Sequence, residues 1–188
     1  ACAPFRRLHL CHHNLETIKN TTSTSTDTLL AEVCMAAKYE GQSIRDYYTK
    51  HENTNPDTKS QLCTVLARSF ADIGDIVRGK DLFYGNPQEK DQRKKLDENL
   101  KTIFKNIKRN NEDLKNIPLP KVREYWWALN RNDVWKAITC DAKAFYYFRP
   151  TCSTGTGTQG RCRCVSTDPP TYFDYVPQYL RWFEEWAE

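Results

Sequence analysis

The sequence predicts a mainly α fold, a helical bundle with long disulfide-pinned loops, from two observations. Apolar residues recur at helical spacing through several long segments. Eight cysteines, Cys2, Cys11, Cys34, Cys63, Cys140, Cys152, Cys162 and Cys164, are spread along the 188 residues. The first pattern makes amphipathic faces that must be buried against one another. The second, an even count at wide spacing, predicts an oxidised framework, because a chain kept in a reducing cytosol rarely retains so many thiols. A chain of this length buries roughly 70% of the surface its unfolded form exposes, so disulfides are not needed merely to make a core.

Residues 1–188 read as a single unit in four stretches: a strap and loop (1–26), a helical core (27–140), a Cys/Gly/Pro-rich loop (141–171) and the start of a C-terminal helix (172–188). Cys2 to Asn14 is read as an irregular strap. The following Thr/Ser-rich loop carries Asn20-Thr21-Thr22, a weak glycosylation pattern that a plain solvated loop would also show. Asp27 is the expected N-cap of a helix carrying Leu29, Leu30, Val33, Cys34 and Ala37, which Gly41 ends or bends; Ser43 to Lys50 forms a further helical piece. A polar loop surrounds Asn55-Pro56. The next helix has one stripe of Leu62, Val65, Leu66, Phe70, Ile73, Ile76 and Val77, is stopped by Gly79, and contains Gly74 as a close-packing point. Asn86-Pro87-Gln88-Glu89 opens a helix that turns Leu96, Leu100, Ile103, Phe104 and Ile107 inward. From Pro120 to Cys140 the apolar positions are Val122, Tyr125, Trp126, Leu129, Trp135 and Ile138. Adjacent helical residues point about 100° apart, so Trp126 and Trp127 belong to different seams. Tyr146-Tyr147 pose the same choice between core and ligand surface. Cys152 to Pro170 lacks a core of its own and is tied by disulfides. Pro177 opens a last helix with Leu180, Phe183 and Trp186 on one face.

Recognised catalytic signatures are missing: there is no phosphate-cradling Gly-x-x-x-x-Gly-Lys-Ser/Thr, no His-Glu-x-x-His and no Gly-x-Ser-x-Gly. Asp72 with Asp75, and Glu184 with Glu185, read as helix-surface charges rather than an acid/base pair. No Cys-x-x-Cys is present, Cys162-Arg163-Cys164 is too tight for a usual zinc knuckle, and His9, His12 and His13 cluster far away. His12-His13 read as solvated. No cofactor or metal is expected. The net charge of +4 makes no case for nucleic acid, and no run approaches a membrane span. The missing initiator Met and an end inside a helical pattern suggest an excerpt of a longer protein. One charged face stands out. Lys94, Lys101, Lys105 and Lys108 fall at steps of 7, 4 and 3, flanked by Arg93, Lys95 and Arg109. Such a stripe can hold sulfated glycans with salt-sensitive affinity, or simply be the polar side of an amphipathic helix. Arg93, Lys94, Lys101, Lys105, Lys108 and Arg109 are therefore the candidate glycan-binding residues.

Longer words in the sequence carry a resemblance. Cys2-Ala3-Pro4-Phe5-Arg6-Arg7-Leu8-His9-Leu10-Cys11 is followed by Ala67-Arg68-Ser69-Phe70-Ala71-Asp72-Ile73-Gly74-Asp75-Ile76-Val77-Arg78-Gly79. Then come Trp126-Trp127, Val134-Trp135-Lys136-Ala137-Ile138-Thr139-Cys140, and the run from Tyr172 to Trp186. In order, these resemble the central region of Duffy-binding-like domains, most closely the alpha class of the Plasmodium falciparum erythrocyte membrane protein 1 family. The resemblance implies an adhesion module of a variant surface antigen, exposed on the infected erythrocyte as part of a larger membrane-anchored protein. It further implies cytoadherence, rosetting and antigenic variation. Its implied partners are a host receptor, either protein or sulfated glycan, such as heparan sulfate or complement receptor, and neighbouring domains of the parent protein. The rival expectation is a scaffold segment that packs on those neighbours without binding receptor. The resemblance also implies that Cys63 pairs with Cys162 or Cys164 and Cys34 with Cys140. Cys2 and Cys11, whose counterparts pair upstream, are free or paired with each other.

Overall fold

The computed structural model describes residues 2–18, 20–52, 58–87, 89–142, 151–152, 155–166 and 168–188. The Asn55-Pro56 turn, Gln88 and Tyr146-Tyr147 lie outside the described residues. The chain is mainly helical. Two short helices, α1 (Phe5–Leu8) and α2 (His13–Glu16), replace the expected irregular strap. The long elements are α3 (Thr26–Glu52), α4 (Thr58–Arg78), α5 (Lys90–Arg109), α6 (Leu119–Ile138) and α7 (Gln178–Ala187), with 3-10 turns at Glu112–Leu114 and Phe173–Tyr175. Among the described residues the only β pairing is an isolated antiparallel bridge between Gln159 and Arg163.

Helix α3 departs from expectation at both ends of its first half. The Ser25 hydroxyl, not Asp27, accepts the Thr28 N–H at 3.1 Å and so caps the helix. The helix then passes through Gly41 without interruption. Glycine stands there for another reason. A Cβ at residue 41 would lie 2.0 Å from the Ile138 carbonyl oxygen, so only a hydrogen lets α3 and α6 touch backbone to backbone. Gly74 does the same for α4, where a Cβ would meet the Trp127 ring at 2.7 Å. The α4 stop is a Schellman turn. Lys80 N–H reaches Asp75 C=O, Gly79 N–H reaches Ile76 C=O, and Gly79 takes φ +74°. The start of α5 is a reciprocal capping box. Asn86 Oδ1 accepts from Glu89 N–H at 2.8 Å, and Glu89 Oε2 accepts from Asn86 N–H at 3.2 Å.

Helix α4 is the centre of the bundle and is buried on almost every side from Leu62 to Arg78. Leu29, Val33, Ala36, Ala37 and Ile44 of α3 join its core, with Leu96, Leu100, Ile103 and Phe104 of α5 and Val122, Val134, Trp135 and Ile138 of α6. Trp126 and Trp127 are both buried and divide between two seams. Trp126 meets Phe104 edge-on at 5.9 Å, while Trp127 tilts against Phe70 at 5.2 Å. Two residues expected inside α6 are outside: Leu129 is 82% exposed and Tyr125 about half. A wedge of buried arginines, Arg123 and Arg131, fills the α6 positions that the apolar pattern left open.

The cysteines divide unequally. Cys63 on α4 is joined to Cys162, and Cys152 to Cys164, which closes the Gly-rich loop onto the bundle. Cys2, Cys11, Cys34 and Cys140 are free thiols. The expected Cys34–Cys140 bond is therefore not made, and neither is a Cys2–Cys11 bond. Gly41 fixes the helix register opposite Ile138. Cys34 lies seven residues back along α3, about 10 Å, where it faces Asp133; burial and that carboxylate push its thiol up to about 11. Cys140 instead lies near Arg163, beyond the last turn of α6.

Candidate functional site

Three features of the surface and its supports carry functional weight: the outer face of α5, a cavity at its first turns, and the polar network that seats α7. On α5, the core stripe from Leu96 to Phe104 turns Lys94, Lys101, Lys105 and Arg109 outward, while Lys108 is half-buried. Lys101 pairs with Asp97 at 2.6 Å. Arg93 does not share this open face. Its guanidinium lies 4.2 Å from the centre of the Phe83 ring, Nη2 meets His12 Nε2 at 3.2 Å, and the side chain is only 12% exposed. Burial, followed by the charge of Arg7, draws Arg93 down to about 10.

His12 is consequently no solvated strap residue. Its Nδ1 stands 2.8 Å from Glu16 and its Nε2 faces Arg93. That arrangement demands a neutral ring with the proton on Nδ1. Burial and the two neighbouring arginines, Arg93 and Arg7, lower its pKa to about 3. Adjacent His13 is exposed. Arg7 is fully buried, chelates Asp81 through Nε and Nη2, and stands 5.0 Å from the Phe83 ring centre. The segment after Gly79 thus places Phe83 between two arginines.

The cavity lies between this segment and α5, with a volume of about 520 Å³. Ile76, Leu96 and Leu100 form its apolar wall, Phe83 and the exposed Tyr84 its aromatic side, and Lys90, Arg93 and Lys94 its cations.

The expected surface carboxylates Asp72 and Asp75 are both buried. Asp72 accepts from Arg6 Nη2 at 2.7 Å, Arg181 Nη2 at 2.7 Å and Gln178 Nε2 at 3.0 Å. Burial alone would raise its pKa, but Arg6 and Arg181 outweigh it and hold the carboxyl below its ordinary value. Asp75 takes Arg181 and Arg78, yet burial prevails there and its pKa is raised. Glu185 binds Arg6 in turn. Asp174 accepts from Trp127 Nε1 at 2.8 Å and from both Arg131 Nε and Nη2. These bonds orient α7 by its polar side. Gln178, Arg181 and Trp182 go inward, and the shared face of Leu180, Phe183 and Trp186 is exposed to solvent.

Fold and crosslinks together define a disulfide-bonded helical domain. The chain belongs to the Duffy-binding domain family, which matches residues 1–181. Among its solved relatives are domains of Plasmodium falciparum membrane protein 1 (PfEMP1). The NTS-DBL1α1 domain of the varO strain is 42% identical, with a TM-score of 0.81 over 100% of this chain and 43% of that one. The DBLβ domain of IT4var13 PfEMP1 bound to ICAM-1 is 34% identical, with a TM-score of 0.74 over 100% of this chain and 44% of that one. A further PfEMP1 DBLβ domain, bound to human ICAM-1, is 30% identical, with a TM-score of 0.72 over 97% of this chain and 39% of that one. The chain thus spans less than half the length of these relatives. No curated protein matches it.

Proposed function

We propose that the chain is an extracellular adhesion module of a variant surface antigen, displayed on the infected erythrocyte as part of a larger membrane-anchored protein, and that it contacts host cell-surface receptors without catalysis. The observation that carries this reading is the likeness, along 97–100% of the chain, to two domains solved with ICAM-1. Those relatives make a protein receptor one candidate partner. The α5 face of Lys94, Lys101, Lys105, Lys108 and Arg109 supports a second, a sulfated glycan such as heparan sulfate. Complement receptor stands with these as a partner the family resemblance implies. Cytoadherence, rosetting and antigenic variation are the roles such contacts serve.

The test is a binding screen of the complete parent domain against endothelial receptors and red-cell glycans at rising salt. Glycan capture by α5 should weaken steeply with salt, and replacing Lys94, Lys101, Lys105 and Lys108 by Glu should abolish it. A folded quadruple variant that binds heparin undiminished removes α5 from the site. A domain that binds no receptor or glycan removes the adhesion reading.

One observation favours a scaffold role instead. The outward Leu180, Phe183 and Trp186 of α7 form an apolar face suited to packing on a neighbouring domain of the parent protein. That reading predicts stable docking to the adjoining domain and no receptor binding by this segment.

A further inference from the structure

The six basic candidates on α5 are not equivalent, and the difference lies in what surrounds the first two turns of the helix. Lys105 and Arg109 belong to an open helix surface, with the half-buried Lys108 beside them. Lys90, Arg93 and Lys94 instead border the cavity of about 520 Å³ whose far side is Phe83 and Tyr84. That volume is within the range of sites that enclose a small ligand rather than brush a flat one.

The lining holds three cations, Lys90, Arg93 and Lys94, and three carboxylates, Asp81, Asp91 and Asp97, of which two are engaged elsewhere. Asp81 is committed to Arg7, which chelates it, and also accepts from Gln178 Nε2 at 2.8 Å. Arg93 reaches the same carboxylate only at 3.9 Å. Its Nε is buried without an acceptor, packed under Gly85, where a Cβ would lie 3.1 Å away. The imidazole of His12, the other neighbour of Arg93, is neutral and supplies no charge. Asp97 is shared between Lys101 at 2.6 Å and Arg123 at 3.5 Å. Lys90 and Lys94 make no ion pair among the described residues, and of the lining carboxylates only Asp91 is likewise uncommitted. Three cations therefore face one spare carboxylate. Burial first, and then the charge of Arg7, lowers the pKa of Arg93 against the pull of Asp81, Glu89 and Glu16, and it stays protonated at neutral pH.

The shape adds the second requirement. Tyr84 is 76% exposed although nothing in the core needs it, and it stands beside the apolar wall of Ile76, Leu96 and Leu100. A ring with a polar edge can lie on such a surface while its anionic substituent meets the cations. The third feature is direction. Lys94 borders the cavity and is also the first residue of the stripe. Lys101, Lys105 and Lys108 continue from it at rises of about 10, 6 and 5 Å along the helix. A chain of repeating anionic rings meets both the cavity and the stripe, whereas a single acidic side chain of a protein needs only the first.

We propose that this cavity is the end subsite for a sulfated saccharide, taking one sulfated ring against Tyr84 and Phe83 with its sulfate on Lys90, Arg93 and Lys94, while α5 carries the rest of the chain. The proposal rests on the glycan reading of α5 and adds where the selectivity resides. Long polymers are held by the stripe through diffuse attraction, and short oligosaccharides by the cavity.

The experiment uses the complete parent domain, a heparin-derived tetrasaccharide, its desulfated counterpart and full-length heparin, read by calorimetry. Two double variants separate the parts: Tyr84→Ala with Lys94→Ser, and Lys105→Ser with Lys108→Ser. The first should lower tetrasaccharide affinity about tenfold or more, and the second should leave it within about twofold while weakening full-length heparin. Tetrasaccharide affinity untouched by the Tyr84/Lys94 variant overturns the subsite but leaves the stripe standing if the Lys105/Lys108 variant still loses heparin. Equal affinity for the desulfated tetrasaccharide also overturns it. A parent domain that binds neither glycan overturns the glycan reading itself.

Discussion

Replacing Gly41 by alanine tests the central packing argument, because local and tertiary physics predict opposite signs. In an isolated helix the change is favourable by about 1 kcal/mol, since alanine restricts the unfolded backbone and glycine does not. In this bundle the new methyl would sit 2.0 Å from the Ile138 carbonyl oxygen and 2.8 Å from its carbon. Both atoms are backbone of α6, so no side-chain rotation relieves the overlap. The helices must part by about 1 Å to reach the 3.0 Å floor for real Cβ contacts. Parting them loosens the buried Ala37 and Trp135. Overpacking of this kind costs about 3 kcal/mol at the upper end of its usual range, which leaves a net loss of about 2 kcal/mol after the helical gain. For a chain of this size that is a fall of about 4–8 °C in Tm. The assay is urea and thermal unfolding followed by far-UV circular dichroism. Gly157→Ala serves as the control, since a Cβ there meets nothing within 4 Å and its effect should stay within about 0.5 kcal/mol. A Gly41→Ala protein as stable as the parent, or more so, would refute the contact between α3 and α6.

Two further outcomes follow from the polar interior. His12 has its pKa lowered to about 3 in the fold by burial and by Arg93 and Arg7. The unfolded chain therefore binds the extra proton first. The stability this provides is complete above the unfolded value of about 6.5 and is lost as pH falls toward 3, by at most about 1.4 kcal/mol per pH unit. Urea midpoints measured from about pH 7 to pH 5 should decline less steeply in His12→Gln than in the parent, and parallel slopes would show that His12 is solvated. Asp174→Asn should cost about 3 kcal/mol or more, because it leaves Arg131 buried beside a neutral amide. Denaturant unfolding read by tryptophan fluorescence measures this, and a change below about 1 kcal/mol would mean that Arg131 keeps its hydration.

How much of this was legible in the sequence depends on the range of the signal. The α4 stop, the capping box before α5 and the α5 core stripe are local. Each is written within a few residues, and each appears where the pattern places it. Gly41 shows the limit of a local signal, since a glycine that breaks a helix and a glycine that admits a neighbour look alike until the neighbour is known. The face of α7 shows another. Periodicity identifies Leu180, Phe183 and Trp186 as sharing a side, but not whether that side is covered. The choice is made by Arg181 and Gln178, whose partner Asp72 lies 109 and 106 residues away. Asp72 itself reads as a surface charge until Arg6, Arg181 and Gln178 close around it.

The candidate site divides along the same line. Its helical half, Lys94 through Arg109, has a period and is visible as a stripe. Its other half is Phe83 and Tyr84 in an irregular segment, held in place by Arg7 and His12 from the N-terminal strap. No spacing rule joins residues 7 and 93. What joins them is one shared carboxylate, Asp81, and one ring, Phe83, each able to serve two arginines poorly or one well. Arg7 has taken the better share of Asp81, and Arg93 is left with aromatic contact and a neutral histidine. An arginine so placed holds the cavity wall in position. That is why a residue first read as one of six surface charges becomes, in the fold, the fixed corner of a cavity.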